Sequence, residues 1–276
     1  MFDIDLSSFS FLTDRHIILA VPSRAADRHR TSTLIIVDFL AVQNVATRIS
    51  DLDFEVALDF PTMSPAARAL DISVRSDPSP SWTPHPDLKV PFHTGRRDRI
   101  FVVTLKATTG TMASRFLLLV PSSTILSKLD STPRDERGCH IHWDDWGPDG
   151  TQLLPAPAHH SFVWVCYVFG MSFIAPGKDL ETVEIYDFNQ LPIKRFVAKG
   201  VQEESPVTTI VTEPSLVISE HFQDPIKTRL PYRKRVKQLP HNFRSVMLSE
   251  DAIVTVDDVS LQRSTAHASR SLFRHH

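Results

Sequence analysis

Paired runs of aliphatic and β-branched residues, each short and bounded by polar or proline-bearing segments, constrain this chain more than any other feature. "DRHIILAV" (14–21) is followed, after "PSRAADRHRTST", by "LIIVDF" (34–39). "DRIFVVTL" (98–105) with "RFLLLV" (115–120) repeats the scheme. So do "MSFIAP" (171–176) with "TVEIYDF" (182–188), and "RSVMLSEDAIVTVDD" (244–258). Runs of this length and composition predict strands. Because they are continuously apolar rather than alternating, they predict strands covered on both faces. Two local patterns recur: a small polar pair before a run ("LTDRHIIL", "LSEDAIVT") and an Asp-Phe after one ("LIIVDF", "VEIYDF").

The run midpoints Ile18, Val102, Ile174 and Ile253 lie 84, 72 and 79 residues apart. A repeating blade would be about 40–50 residues. The spacing is about twice that, so weaker units should lie between, at "ISDLDFEVALDF" (49–60) and "SLVISEHF" (215–222). The expected fold class is all-β: antiparallel sheets stacked face to face, as a sandwich or as an irregular, partial propeller-like stack. Few short helices are expected, one over "PSSTILSKLD" (121–130) and one in "TMSPAARALD" (62–71), where Pro65 suits a helix start. High proline, 20 against 8 glycines, agrees with short strands and many loops. A single β-rich domain over 1–260 is expected, followed by a disordered basic tail over 261–276.

The totals narrow the function. The net charge is −2, so no global field draws the chain to nucleic acid or anionic membranes. Two cysteines, Cys139 and Cys166, make no disulfide framework and no Cys-x-x-Cys pair. There is no Asn-x-Ser/Thr sequon and no charged-then-apolar leader, and "FVWVCYVFGM" (162–171) is shorter than the roughly 18–20 residues a membrane helix needs. An intracellular protein, cytoplasmic or nuclear and without a membrane partner, is the expectation. The sequence has no Gly-x-Ser-x-Gly, no phosphate loop, no Gly-x-Gly-x-x-Gly and no His-Glu-x-x-His. No cofactor is expected.

One stretch concentrates chemistry: "CHIHWDDWGPDGT" (139–151). On a strand, His140, His142 and Asp144 share a face, spaced about 7 Å apart, and could ligate a metal with help from His159 in "AHHSF". The competing reading is a polar strand face entering a tight turn at "GPDG", with Trp143 and Trp146 packed around it and seeking partners for their indole N–H groups. The basic run "KTRLPYRKRVKQLP" (227–240) has six cations among the eleven residues from Lys227 to Lys237. It reads as a solvated loop or a charge-protected edge strand. "KRVK" also fits a nuclear-import pattern, whereas thin aromatic interleaving argues against nucleic acid. "TGRRDR" (94–99) reads as an exposed basic loop.

Several blocks taken in order resemble the C-terminal region of fungal F-box proteins: "FLTDRHIILAV", "DRIFVVTL", "FLLLVPSSTILSKL", "HWDDWGPDGTQLLP", "WVCYVFGMSFIAP", "IYDFNQLPIKR", "LPYR" and "LSEDAIVTVDD". The resemblance spans about residues 5–258. It implies a propeller-like, all-β receptor region that holds a protein substrate for a cullin-based ubiquitin ligase. An F-box would dock the Skp adaptor, but this chain enters a strand at once after "MFDIDLSSFSFLTDRH", so the adaptor is a partner only if an F-box lies upstream. The domain is therefore expected to be incomplete at its N-terminus. The expected function is non-enzymatic protein binding through loops on one sheet face, with Asp144, Asp145, Trp146, Asp149, Tyr232 and Arg233 as contacts. Two alternatives stand beside it: a metal-dependent or hydrolytic enzyme built on His140, His142 and Asp144, and a truncated structural fragment.

Overall fold

The computed structural model describes residues 8–22, 31–41, 51–77, 79, 98–156, 167–176, 182–199, 208–239, 243–248 and 253–257. They are mostly strand, arranged in several antiparallel sheets, with three α-helices. The chain groups into two compact units, one built from residues 1–82, 96–156 and 213–230 and the other from 83–95, 157–212 and 231–276. The expected tail over 261–276 lies outside the described residues.

In the first unit, β1 (Ser8–Phe11), β2 (His16–Val21), β3 (Thr33–Asp38) and β4 (Val56–Asp59) form an antiparallel meander, and β8 (Cys139–Ile141) joins β4 in parallel. A second antiparallel sheet has the order β5-β6-β7-β9, from Ala67–Arg75, Ile100–Thr109, Met112–Pro121 and Gln152–Pro155. A short ribbon pairs β14 (Ser215–Val217) with β15 (Ile226–Thr228). Ile18, Leu34, Ile36 and Leu58 from the first sheet join Ile72, Phe101, Val103, Leu105 and Leu118 from the second in one core. The opposite face of the first sheet is also apolar, with Leu19, Ile35, Val37 and Ala57 buried beside Leu52 and Phe54. Both faces are thus covered, as continuous apolar runs require. Each large aliphatic group so buried contributes about 1.5–3 kcal/mol.

Two local expectations are overturned. "TMSPAARALD" forms no helix: Met63 sits in an isolated bridge to Phe222, and Ala67 begins β5. The Ala-Arg-Ala-Leu stretch favours helix by propensity, but the ladder to β6 and the burial of Ile72 and Val74 outweigh it. "DDWGPDG" is not a turn but most of helix α2 (Trp143–Gly150). Asp144 and Asp145 stand in its first turn, where negative charge suits the helix dipole. Its glycines provide space: a Cβ on Gly147 would lie 2.3 Å from Trp143 Cε3, and one on Gly150 would lie 2.5 Å from Thr124 Cγ2. Thr124 belongs to helix α1 (Ser122–Ser131), the helix expected over "PSSTILSKLD". It begins after Pro121 with no side-chain cap, and it buries Ile125 with Leu126 and Leu129 partly covered.

Arg99 also departs from expectation. The last residue of "TGRRDR" is buried rather than exposed, and its Nη2 donates to the carbonyls of Phe11 (2.9 Å) and Leu12 (2.7 Å). Its guanidinium carbon lies 5.2 Å from the Phe101 ring centre. Burial pushes its pKa down, with the Asp77 charge opposing. Arg99 thereby ties β1 to the start of β6.

The second unit holds a sheet of order β10-β11-β12-β16-β13, from Tyr167–Phe169, Ser172–Pro176, Thr182–Asp187, Tyr232–Gln238 and Thr208–Val211. A hairpin of β17 (Phe243–Leu248) and β18 (Ile253–Asp257) packs against it through Val246 and Ile253 onto Ile174, Val183 and Ile185. Helix α3 (Gln190–Lys199) follows β12. The basic run thus divides: Lys227 and Thr228 end β15 of the short ribbon, residues 229–231 connect it onward, and Tyr232–Gln238 forms β16, which is not an edge. β16 lies inside the sheet, between β12 and β13.

The Asp-Phe pattern acquires a structural meaning. Asp38 and Asp187 each end an inner strand, and each accepts through Oδ1 a backbone N–H two residues on, from Leu40 (3.1 Å) and Asn189 (3.0 Å). Each carboxylate also pairs with an arginine of the same unit, Arg15 and Arg233 respectively. Each following phenylalanine meets an aromatic ring, Phe39 against Phe11 and Phe188 against Tyr232. The two meanders close in the same way.

Candidate functional site

The histidines of the "CHIH" stretch converge on Asp59, not on Asp144. Asp59 ends β4 and is buried. Its Oδ1 accepts from Thr33 Oγ1 at 3.2 Å and lies 2.9 Å from His140 Nδ1, while its Oδ2 lies 3.6 Å from His142 Nδ1. The parallel register sets Ala57 opposite His140 and Leu58 opposite Ile141, which carries both imidazoles along the β4 edge to its terminal carboxylate. The backbone carbonyl of Asp59 accepts the Trp146 indole N–H at 2.9 Å. One residue thus ties β3, β8 and α2 together. Asp144 stands apart, exposed on α2, and His159 lies outside the described residues.

A second cluster was not anticipated. Among the described residues, His16, Asp38 and Glu55 offer ligand atoms that all lie within 4.8 Å of one another. They line a cavity of ≈ 160 Å³ with Arg15, Arg137, Leu129, Asp130 and Thr132. Both carboxylates are already matched by cations. Arg15 reaches Asp38 Oδ2 through Nε (2.6 Å) and Nη2 (2.5 Å), and Arg137 Nε reaches Glu55 Oε2 at 2.7 Å. The Arg15 hydrogen bond holds the Asp38 carboxyl below its ordinary range despite burial, with the Leu40 N–H assisting. Thr13 Oγ1 lies 2.9 Å from His16 Nδ1, and burial lowers the imidazole pKa more than the Asp38 and Glu55 charges raise it. A divalent ion entering here would have to displace two charge-assisted pairs. The signal in the sequence was the Asp-Phe pattern itself, which marks Asp38 and Asp187 as strand-terminal acceptors. Arg15, His16, Glu55 and Arg137 carry no such local mark.

The expected contact residues divide by burial. Asp144, Asp145 and Asp149 are exposed on α2, and Asp149 pairs with Arg229. Trp146 is buried, edge-on to Trp143 (5.3 Å) and to Phe60 (6.5 Å). It is a core anchor and offers no contact surface, which corrects its assignment. Tyr232 is likewise buried, its ring tilted against those of Tyr186 and Phe188 with centres 5.6 Å away in each case. Burial, and then the Glu184 charge, push its phenol pKa up. Arg233 is partly buried and bound to Asp187. These two belong to the second unit, and the aspartates to the first.

No helix among the described residues is long and apolar enough to cross a membrane. No family model matches the chain, and no curated protein or solved structure matches it significantly. The fold and the site define a mostly-β protein with internally paired charge clusters. The resemblance to F-box proteins rests on the sequence blocks alone.

Proposed function

We propose that the chain is a non-enzymatic protein-binding platform, a receptor region of the kind the F-box resemblance implies. The observation that carries this reading is helix α2. Two buried tryptophans and a hydrogen bond to Asp59 fix it against the core, and it presents Asp144, Asp145 and Asp149 to solvent. A rigid scaffold that displays charged side chains loses little ordering entropy on binding. Among the described residues, the carboxylates of the two histidine-bearing clusters are engaged in internal pairs: Asp59 with Thr33 and His140, Asp38 with Arg15, and Glu55 with Arg137.

The finer architecture belongs to the same proposal. Antiparallel four-stranded runs recur as β1-β2-β3-β4, β5-β6-β7-β9 and β10-β11-β12-β16. Two of them share the Asp-Phe closure. That repetition supports an irregular, propeller-like stack, with the parallel strand β8 as a departure from it. A protein substrate is the proposed partner, and the Skp adaptor is one only in the presence of an F-box.

The test is quantitative affinity capture with the full chain and with a D144N/D145N/D149N variant of equal melting temperature. A protein held by the wild type and lost by the variant supports the placement. Identical captured sets for both chains reject it.

A further inference from the structure

Strand β16 carries Arg233, Arg235 and Lys237 at alternate positions, so they share one face of the second unit's sheet. The register to β12 sets Arg233 opposite Asp187, Arg235 opposite Ile185 and Lys237 opposite Val183. On the other side, β13 sets Ile210 opposite Arg233 and Thr208 opposite Arg235. Arg233 therefore faces a carboxylate, and Arg235 faces an aliphatic side chain and a hydroxyl. This face is half withdrawn from water: Ile174, Val183 and Ile185 on it are buried under the β17–β18 hairpin. Arg235 is itself partly buried, and its pKa is lowered first by that burial, then by Arg233, with only Asp187 opposing. Among the described residues, Asp187 is the one carboxylate set against both guanidinium groups, and its ion pair is with Arg233, which leaves the Arg235 charge unmatched there. Arg233 Nε is buried with no hydrogen-bond acceptor among the described residues.

A partly desolvated cation beside a like charge is costly unless an anion completes it. We propose that Arg235, with Arg233 beside it and the Thr208 hydroxyl across the strand, forms a binding site for the phosphate group of a phosphate ester. The guanidinium fork matches two oxygens of a phosphate. A phosphate bound to the fork through two oxygens still has further oxygens, directed away from the fork, for Thr208 and the Arg233 side, whereas a carboxylate has only its two in-plane oxygens to offer. This site is independent of the acidic face on α2 and goes beyond the receptor reading.

The experiment is calorimetric titration of the full chain at fixed ionic strength with inorganic phosphate, glycerol phosphate and a short phosphoserine peptide. Acetate serves as the carboxylate probe. The wild type should bind the phosphate probes saturably and acetate far more weakly. R235Q should bind them about 10- to 100-fold more weakly, the range for one charge-assisted hydrogen-bonding group. R68Q, at an exposed position of β5, should behave as wild type. R235K, which keeps the charge and loses the fork, should lie between and remains informative if R235Q does not fold. Tighter binding of the phosphopeptide than of glycerol phosphate assigns the group to a protein partner, and the reverse assigns it to a small ester. Absence of saturable binding, equal affinity in R235Q or R235K, or equal affinity for acetate overturns the proposal.

Discussion

Replacing Gly147 by alanine sets two effects of opposite sign against each other. In a helix interior, Gly→Ala favours the helix by about 1 kcal/mol. Here the new Cβ would sit 2.3–2.5 Å from three atoms of the Trp143 indole. Ordinary carbon–carbon contact is about 3.5–4.0 Å, so the ring or the helix must move by more than 1 Å. Trp143 is buried and packed edge-on against Trp146, so moving the ring disturbs the core around it. Displacing it forfeits much of what truncating it would, about 3–5 kcal/mol. After the helix gain, G147A should destabilise the protein by about 2–4 kcal/mol, read as a lower urea midpoint. The sharper reading comes from a double-mutant cycle with W143A. Without the indole the clash disappears, and G147A should become stabilising by about 1 kcal/mol. Equal destabilisation in both backgrounds, or neutrality in the wild type, would refute the claim that this glycine serves to seat Trp143.

Other perturbations have defined signs. Asp38 has a depressed pKa, so its pairing stabilises the fold fully above the ordinary carboxylate range and is lost as pH falls through the lowered value. D38N should flatten the acid limb of the stability–pH curve below about pH 4. The His16 pKa is also depressed, so the folded state takes up protons later than the unfolded one and stability falls as pH drops below about 6.5. H16Q should remove that slope, measured by melting temperature between neutral and mildly acidic pH. W146F keeps a ring but strands the Asp59 carbonyl that the indole N–H satisfies, and chemical denaturation should show a loss of about 1–3 kcal/mol.

Much of the strand content was legible because it rests on a local signal. "IILAV" (17–21), "LIIV" (34–37) and "FLLLV" (116–120) are apolar at every position, and only strands covered on both faces use them all. Helix α2 was not legible, because Gly-Pro-Asp-Gly is turn chemistry unless two tryptophans need the space the glycines leave. Helix α3 did carry marks: Asn189 Oδ1 accepts the Leu191 N–H as a cap, and Pro192 sits in the first turn, where its missing donor costs nothing. β16 misled because a run of cations suggests exposure. Its neighbours supply Asp187 for Arg233 and Glu184 for Lys234, which lets the strand sit inside a sheet. At the candidate site, the histidines were visible but their acceptor was not. Asp59 is 81 residues from His140 in sequence, and only the parallel pairing of β4 with β8 brings them together.

Elemental analysis of the purified full chain, from cells grown with ample zinc and iron, bears most directly on the claim that these clusters are internal ties and not a reaction centre. With Arg15 and Arg137 occupying the Asp38 and Glu55 carboxylates, and Asp59 engaged by Thr33 and His140, metal content should stay well below one ion per chain, and EDTA should leave the melting temperature unchanged. Stoichiometric zinc or iron, with a melting temperature that collapses on chelation, would contradict the account.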